Sequence, residues 1–249
     1  MKLSILQVTL QWADTRANLE HAAEMMLAHQ GEDIDVFVLP EMFSTGFVMN
    51  PQGVADADGT VLAWMQAMAA RMDAAIVGSV AVEDDGHFYN RAFFVRPDGT
   101  YDYADKRHLF TYGGENRYYT RGDRRVIIPW RGTRFLLLVC YDLRFPIWSR
   151  CRDDYDAIIY VANWPVVRQR SWDILLPARA MENQSFVIGA NRVGQDPMCE
   201  YQGGSIIYDF YGQPLATAQP YEEGAITAQL DMAQLKHFRT KFPVLDDHD

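Results

Sequence analysis

Hydrophobic and polar positions along the chain change period several times. Leu19, Ala22, Ala23, Met26 and Leu27 recur at helical spacing behind Asp14 or Thr15 as a cap, predicting an amphipathic helix over residues 15–30 that Gly31 ends. A second helical period runs through Leu62, Met65, Met68 and Met72 over residues 60–72, and a third helix is expected over residues 172–184. Between them lie short apolar runs of strand length: residues 1–8, Val36-Phe37-Val38-Leu39 up to Pro40, 75–82 and 91–95. The turn residues Glu83-Asp84-Asp85-Gly86 make the last two a hairpin. A second hairpin joins Val126-Ile127-Ile128 to Phe135-Leu136-Leu137-Leu138-Val139 through Arg131-Gly132. Further strands are expected at 157–161, 186–190, 205–209 and 225–229. Many strands, about four helices, no linker and no repeat predict one domain over residues 1–249, with helices covering two stacked sheets.

Composition narrows the partners. With 23 Lys and Arg against 33 Asp and Glu, the net charge is −10, which repels a polyphosphate, so no nucleic-acid partner is expected. An anionic small molecule would need a cationic pocket within that field. The three cysteines, Cys140, Cys151 and Cys199, are odd in number and widely spaced, which fits a reduced, cytoplasmic setting. The N-terminal apolar run is interrupted at Ser4, Gln7 and Thr9, unlike a signal peptide, and no stretch approaches the roughly 18 residues of a membrane span.

Three buried runs end abruptly in polar residues: residues 36–39 in Pro40-Glu41, 136–139 in Cys140-Tyr141-Asp142, and 158–161 in Ala162-Asn163-Trp164. Ligands bind at the carboxyl edge of open α/β sheets, where rigid strands deliver side chains into one crevice, so Glu41 and Cys140 are expected to be neighbours. Taken singly, each residue has an ordinary reading. Cys140 would be an inert buried thiol, Glu41 a solvated strand-end carboxylate and Lys106 one charge of a surface cluster.

Together, Leu39-Pro40-Glu41-Met42-Phe43, Asp105-Lys106-Arg107-His108-Leu109-Phe110 and Val139-Cys140-Tyr141-Asp142-Leu143-Arg144-Phe145-Pro146 resemble the Glu, Lys and Cys signatures of the nitrilase superfamily of carbon–nitrogen hydrolases, in the superfamily's order. Ala162-Asn163-Trp164-Pro165 and residues 179–184 extend the resemblance, which is greatest to the bacterial omega-amidases. It implies a four-layer α-β-β-α sandwich, commonly paired into a homodimer. The Met65, Met68 and Met72 faces and a C-terminal segment of about 231–249 are candidates for that interface.

The implied chemistry is a Cys140 thioester, with Glu41 as the base. Lys106 and the Tyr141 backbone N–H form the oxyanion hole, and Glu115 is a second catalytic carboxylate. A thiol is only a few per cent ionised at neutral pH, so the chemistry requires such neighbours. For substrate the resemblance points to 2-oxoglutaramate or 2-oxosuccinamate, amides with a far carboxylate. Arg144, with Trp164 as a further pocket residue, is the candidate to receive it; the alternative for Arg144 is a structural ion pair with Asp142 or Asp154. Rival readings are N-carbamoyl amino-acid or simple aliphatic amide hydrolysis, a papain-like Cys140–His108 pair, and an inactive metabolite-binding scaffold. No metal or organic cofactor is called for, since no ligand cluster or phosphate-binding glycine loop is found.

Overall fold

The computed structural model describes residues 1–247. In chain order the elements are β1 (Lys2–Gln7), α1 (Thr15–Leu27), β2 (Val36–Val38), α2 (Thr60–Met72), β3 (Ala75–Asp84), β4 (His87–Val95), β5 (Tyr101–Asp105), β6 (Ile127–Trp130), β7 (Thr133–Val139), α3 (Pro146–Ser149), β8 (Ala157–Val161), α4 (Gln169–Glu182), β9 (Phe186–Ala190), β10 (Val193–Gln195), β11 (Glu200–Gln202), β12 (Ile206–Tyr208), β13 (Pro214–Thr217), β14 (Gly224–Gln229) and α5 (Met232–Lys241). They build two mixed six-stranded sheets flanked by helices. Sheet 1 has the order β14-β1-β2-β3-β4-β5, sheet 2 the order β13-β12-β9-β8-β7-β6, and β10 and β11 form a separate small ribbon.

The apolar runs are unbroken because the central strands are covered on both faces. Leu3 and Ile5 of β1, Val36 and Val38 of β2, Ala75 and Val77 of β3, and Ala92 and Phe94 of β4 pack with Leu136, Ile158 and their neighbours from sheet 2. The alternate residues Leu6, Phe37, Ile76 and Phe93 face α1 and α2, where they meet Leu19, Ala22, Met26, Met65 and Met68. Each fully buried Val, Leu, Ile, Phe or Met side chain among them contributes roughly 1.5–3 kcal/mol through lost apolar hydration. Met65 and Met68 are therefore core residues, and Met72 packs partly against the same cluster, which removes the expected dimer face on α2. α4 closes sheet 2 so tightly that a Cβ on Gly189 would lie 2.6 Å from Leu176.

Several boundaries differ from the sequence reading. α1 is capped by Asp14, which accepts from the Ala17 N–H at 3.0 Å, and it ends at Leu27, before Gly31. The β3–β4 hairpin runs on to Asp84 and His87 around a tight turn at Asp85 and Gly86, both at positive φ. α4 begins at Gln169 and ends at Glu182. The segment after residue 230 forms α5, which buries Leu235 and stacks Phe238 on Phe210 at 5.0 Å; residues 248–249 of the expected interface segment lie outside the described residues. Among the described residues no helix is long and apolar enough to cross a membrane.

Candidate active site

Strand ends from both sheets converge on one cleft of about 830 Å³. From sheet 1, the chain leaving β2 keeps pairing along β3: the Leu39 N–H donates to Val77 O at 2.7 Å and the Phe43 N–H to Ser79 O at 3.1 Å. Gly78 permits this approach, because a Cβ there would stand 2.8 Å from the Phe43 ring. Glu41 is thereby carried inward and is completely buried. β5 delivers Lys106, whose N–H donates to Asn90 O at 2.9 Å, and Gly122 crosses so close behind that a Cβ would lie 2.1 Å from Asp105 O. The loop after β5 folds into two short 3-10 turns and returns Glu115 to the same point.

The three side chains form a fully buried charge cluster. The Lys106 ammonium lies 2.9 Å from Glu41 Oε1 and 3.0 Å from Glu115 Oε2, with the Phe47 ring 5.0 Å below it. Burying an ion costs on the order of several kcal/mol, so such a cluster survives only with its remaining lone pairs satisfied. They are satisfied. Asn90 Nδ2 donates to Glu41 Oε1 at 2.7 Å and to Glu115 Oε1 at 3.3 Å, and its own Oδ1 accepts from Ser79 Oγ at 2.8 Å, which fixes the amide's orientation. The Asn163 N–H donates to Glu41 Oε2 at 2.8 Å, and Asn163 Nδ2 to the Glu41 carbonyl at 2.6 Å. Glu115 accepts from the Phe110 N–H as well.

From sheet 2, β7 ends in the tight 3-10 turn Cys140–Arg144. Cys140 itself stands at φ 44°, in the left-handed region that a non-glycine residue occupies only at a cost of about 1–3 kcal/mol. Asp142 holds this turn: it accepts from the Val139 N–H at 3.1 Å, and from the His108 N–H at 2.9 Å. The turn and the Lys106 segment are thus tied together. Tyr141 lies in the turn's first residues, where backbone N–H groups lack partners within the helix, and its ring is wedged edge-on to Phe110 and Phe145, both at 5.2 Å.

Electrostatics follow from this burial. Burial and then the Glu41 charge push the Cys140 thiol well above its usual range, against the pull of Lys106. Burial alone would lower Lys106, but the Glu115 and Glu41 charges more than reverse this and keep it cationic. Burial raises Glu115, with Lys106 opposing. Burial thus favours the neutral thiol of Cys140, while Lys106 is held as a cation beside it.

Glu41, Lys106, Cys140 and Glu115 are thus brought together, and of the two readings of Arg144 the ion pair drops out. Asp142 is taken by His108 and Asp154 by Arg125, so neither ion pair considered for Arg144 forms. Arg144 instead lines the cleft, with Nη2 donating to Ser171 Oγ at 3.0 Å and its guanidinium 5.0 Å over the Trp164 ring. Trp164 is buried, its Nε1–H donating to Arg168 O at 2.8 Å. The Cys–His reading fails. His108 bonds Asp142 through Nδ1 at 2.8 Å, lies stacked on Phe145 at 3.7 Å, and does not line the cleft. Cys151 is buried away from the site against Tyr155 O, whereas Cys199 lines the cleft. Among the described residues no group of three or more His, Cys, Asp or Glu side chains is placed to hold a metal ion.

Sequence reasoning missed Asn90 and the part Asn163 plays. Asn163 had a usable signal, since it follows the buried β8 run as Glu41 follows β2. Asn90 had none: between Tyr89 and Arg91 in β4 it reads as an ordinary polar position of a strand.

Comparison with known proteins places this geometry in context. The carbon–nitrogen hydrolase family profile matches residues 2–240. The chain is 46% identical to the omega-amidase YafV of Escherichia coli strain K12, over all of this chain and 97% of that protein. It is 34% identical to the 2-oxoglutaramate amidase of Bacillus subtilis strain 168, over 98% of this chain and 96% of that one. The crystal structure of a CN-hydrolase superfamily protein from Xanthomonas campestris, with an arsenic adduct in its active site, superposes with a TM-score of 0.97 at 38% identity, covering 100% of this chain and 97% of that chain.

Proposed function

Because the chain belongs to the carbon–nitrogen hydrolase family, we propose that it is an omega-amidase, hydrolysing the terminal amide of 2-oxoglutaramate or 2-oxosuccinamate to the 2-oxo dicarboxylate and ammonia. The observation that carries this reading is the pairing, in one cleft, of a buried Glu41–Lys106–Glu115 cluster against Cys140 with Arg144, a guanidinium that has no carboxylate partner among the described residues.

Turnover begins when the Cys140 sulfur attacks the amide carbon while its proton passes to Glu41, the carboxylate whose charge acts most strongly on the thiol. The carbonyl oxygen becomes an oxyanion, received by the Lys106 ammonium and the Tyr141 N–H. Lys106 suits that role because two carboxylates hold it cationic and in place before substrate arrives. Collapse expels ammonia, to which Glu41 returns the proton, and leaves a thioester. Glu41 then takes a proton from water, whose oxygen attacks the thioester through a second oxyanion, and the collapse releases the acid and the thiol. Glu115 keeps the ammonium from swinging wholly onto Glu41, leaving that carboxylate competent as a base. Arg144, braced on Trp164, receives the distant carboxylate by a charge-assisted hydrogen bond.

Ammonia release measured side by side from 2-oxoglutaramate, asparagine, N-carbamoyl amino acids, a neutral aliphatic amide and a nitrile tests this. The expected outcome is fastest release from 2-oxoglutaramate; preference for a neutral or N-carbamoyl substrate refutes the substrate assignment, and no release from any of them refutes the activity.

A further inference from the structure

A second arginine lines the cleft without a direct ion pair among the described residues. Arg168 ends the short turn Val166–Arg168 and lines the cavity, its guanidinium 4.9 Å over the Phe110 ring and near enough to Cys199 for its charge to act on the thiol. Like Arg144, it has no carboxylate partner among the described residues. Asp196 is the acidic residue beside Cys199 on the cleft wall, and its oxygens are already occupied. Oδ1 accepts from the Met198 and Cys199 N–H groups at 2.8 and 2.7 Å, and Oδ2 from Tyr201 Oη at 2.7 Å. The two arginines also share one scaffold. Arg168 O accepts from Trp164 Nε1 at 2.8 Å and from Ser171 Oγ at 2.9 Å, and these are the ring beneath Arg144 and the hydroxyl that orients it.

One carboxylate needs one guanidinium, and Arg144 supplies it, so a second cation on the same scaffold calls for a second acceptor on the substrate. We infer that Arg168 is a specificity-determining residue that reads the 2-oxo group beside the substrate carboxylate and excludes an amino group there. This rests on the omega-amidase reading above. A 2-oxo acid presents its ketone oxygen next to the carboxylate as a further acceptor, which a guanidinium can meet with its planar donors. The corresponding amino acid places an ammonium at that carbon, which offers no acceptor and faces two cations across a largely apolar cleft. On this basis the pocket distinguishes 2-oxoglutaramate from glutamine by charge, although both end in the same amide.

The test compares kcat/KM for 2-oxoglutaramate, glutaramate and glutamine, which differ only at that carbon, in the wild type and in Arg168→Met and Arg168→Gln. Both variants should lose about 10- to 100-fold on 2-oxoglutaramate, the range for one hydrogen bond to a charged group, while glutaramate changes by no more than about threefold. The preference for 2-oxoglutaramate over glutamine should narrow by the same factor. Binding of 2-oxoglutarate against glutarate, followed by calorimetry, gives an independent readout, and the wild-type preference for the 2-oxo acid should disappear in both variants. Cys199→Ser serves as the control for the thiol contact and should keep wild-type selectivity. Equal loss on 2-oxoglutaramate and glutaramate, with a lowered melting temperature, would make Arg168 a support of the cleft wall and overturn the inference. So would unchanged selectivity in active variants. A wild type that releases ammonia from neither 2-oxoglutaramate nor glutaramate would instead overturn the omega-amidase reading itself.

Discussion

The two sheets are built alike yet supply opposite halves of the chemistry. Read from β14 to β5 and from β6 through β9 to β13, each shows neighbours that are antiparallel, parallel, parallel, antiparallel and antiparallel. In sheet 1, β2 leads to the Glu41 carboxylate; in sheet 2, β8 holds the same place and leads to the neutral amide of Asn163, which donates to that carboxylate. β7 ends in Cys140, whereas β1 continues into Val8, a core residue. The Glu41–Lys106–Glu115 charge cluster thus comes from the first sheet and its loops. The second contributes the Cys140 thiol and the neutral Asn163 donors that hold Glu41. An ion cluster that must be fully satisfied is assembled within one sheet and its loops, where the β3–β5 pairings fix its geometry, and the strained cysteine is presented to it from the other.

Breaking the second sheet's contribution should have the largest effect. Cys140→Ala should reduce ammonia release to background with an unchanged melting temperature, because it removes the nucleophile and little volume. In the wild type, mass spectrometry of a quenched reaction should find the acyl adduct on the Cys140 peptide; an adduct on Cys199, the other thiol of the cleft, would reverse the assignment. Breaking the first sheet's cation comes next. Lys106→Met should lower turnover by about 10²-fold or more, as for loss of one oxyanion donor, and near-normal turnover would remove Lys106 from the mechanism. The smallest effect should come from Arg144→Lys, which leaves both halves intact. A lysine cannot reproduce the planar fork, so kcat/KM for carboxylate-bearing amides should fall by about one to two orders of magnitude. Neutral amides should change little, and a parallel loss on both would show that Arg144 only braces Trp164.

How far the sequence reveals this molecule depends on how each element is held. α2, β8 and β9 are readable residue for residue because both ends coincide with a change of hydrophobic period and their apolar side chains are buried. β5, β10, β11 and β13 escape such a reading: they are three to five residues long and mostly polar or half-exposed, so only tertiary pairing makes them strands. α5 is hidden in the same way, since Leu235 is its one fully buried residue. Glu41, Lys106 and Cys140 stand out through short motifs at strand ends. The residues that steer them, Asn90 and Ser79, lie within strands, where one polar side chain leaves no periodic trace. The fate of Arg144 was open for a related reason. Which aspartate lies near it depends on how Arg125 and His108 fold back, and spacing along the chain carries no such information.

The pairing of β1 with β14, in register from Lys2 opposite Gln229 to Gln7 opposite Gly224, also bears on how the protein is made. β1 to β5 have all been synthesised by residue 105, but the outer neighbour of β1 emerges more than one hundred residues later. Through that interval the nascent sheet carries an open edge whose residues Leu3, Ile5 and Leu6 are wholly apolar, the kind of edge to which other chains add. Sheet 2 follows a different timetable, since all six of its strands are complete by residue 217. The strand that seals the first is therefore the last of the fourteen to be made, so protection of the oldest edge waits until both sheets are otherwise complete.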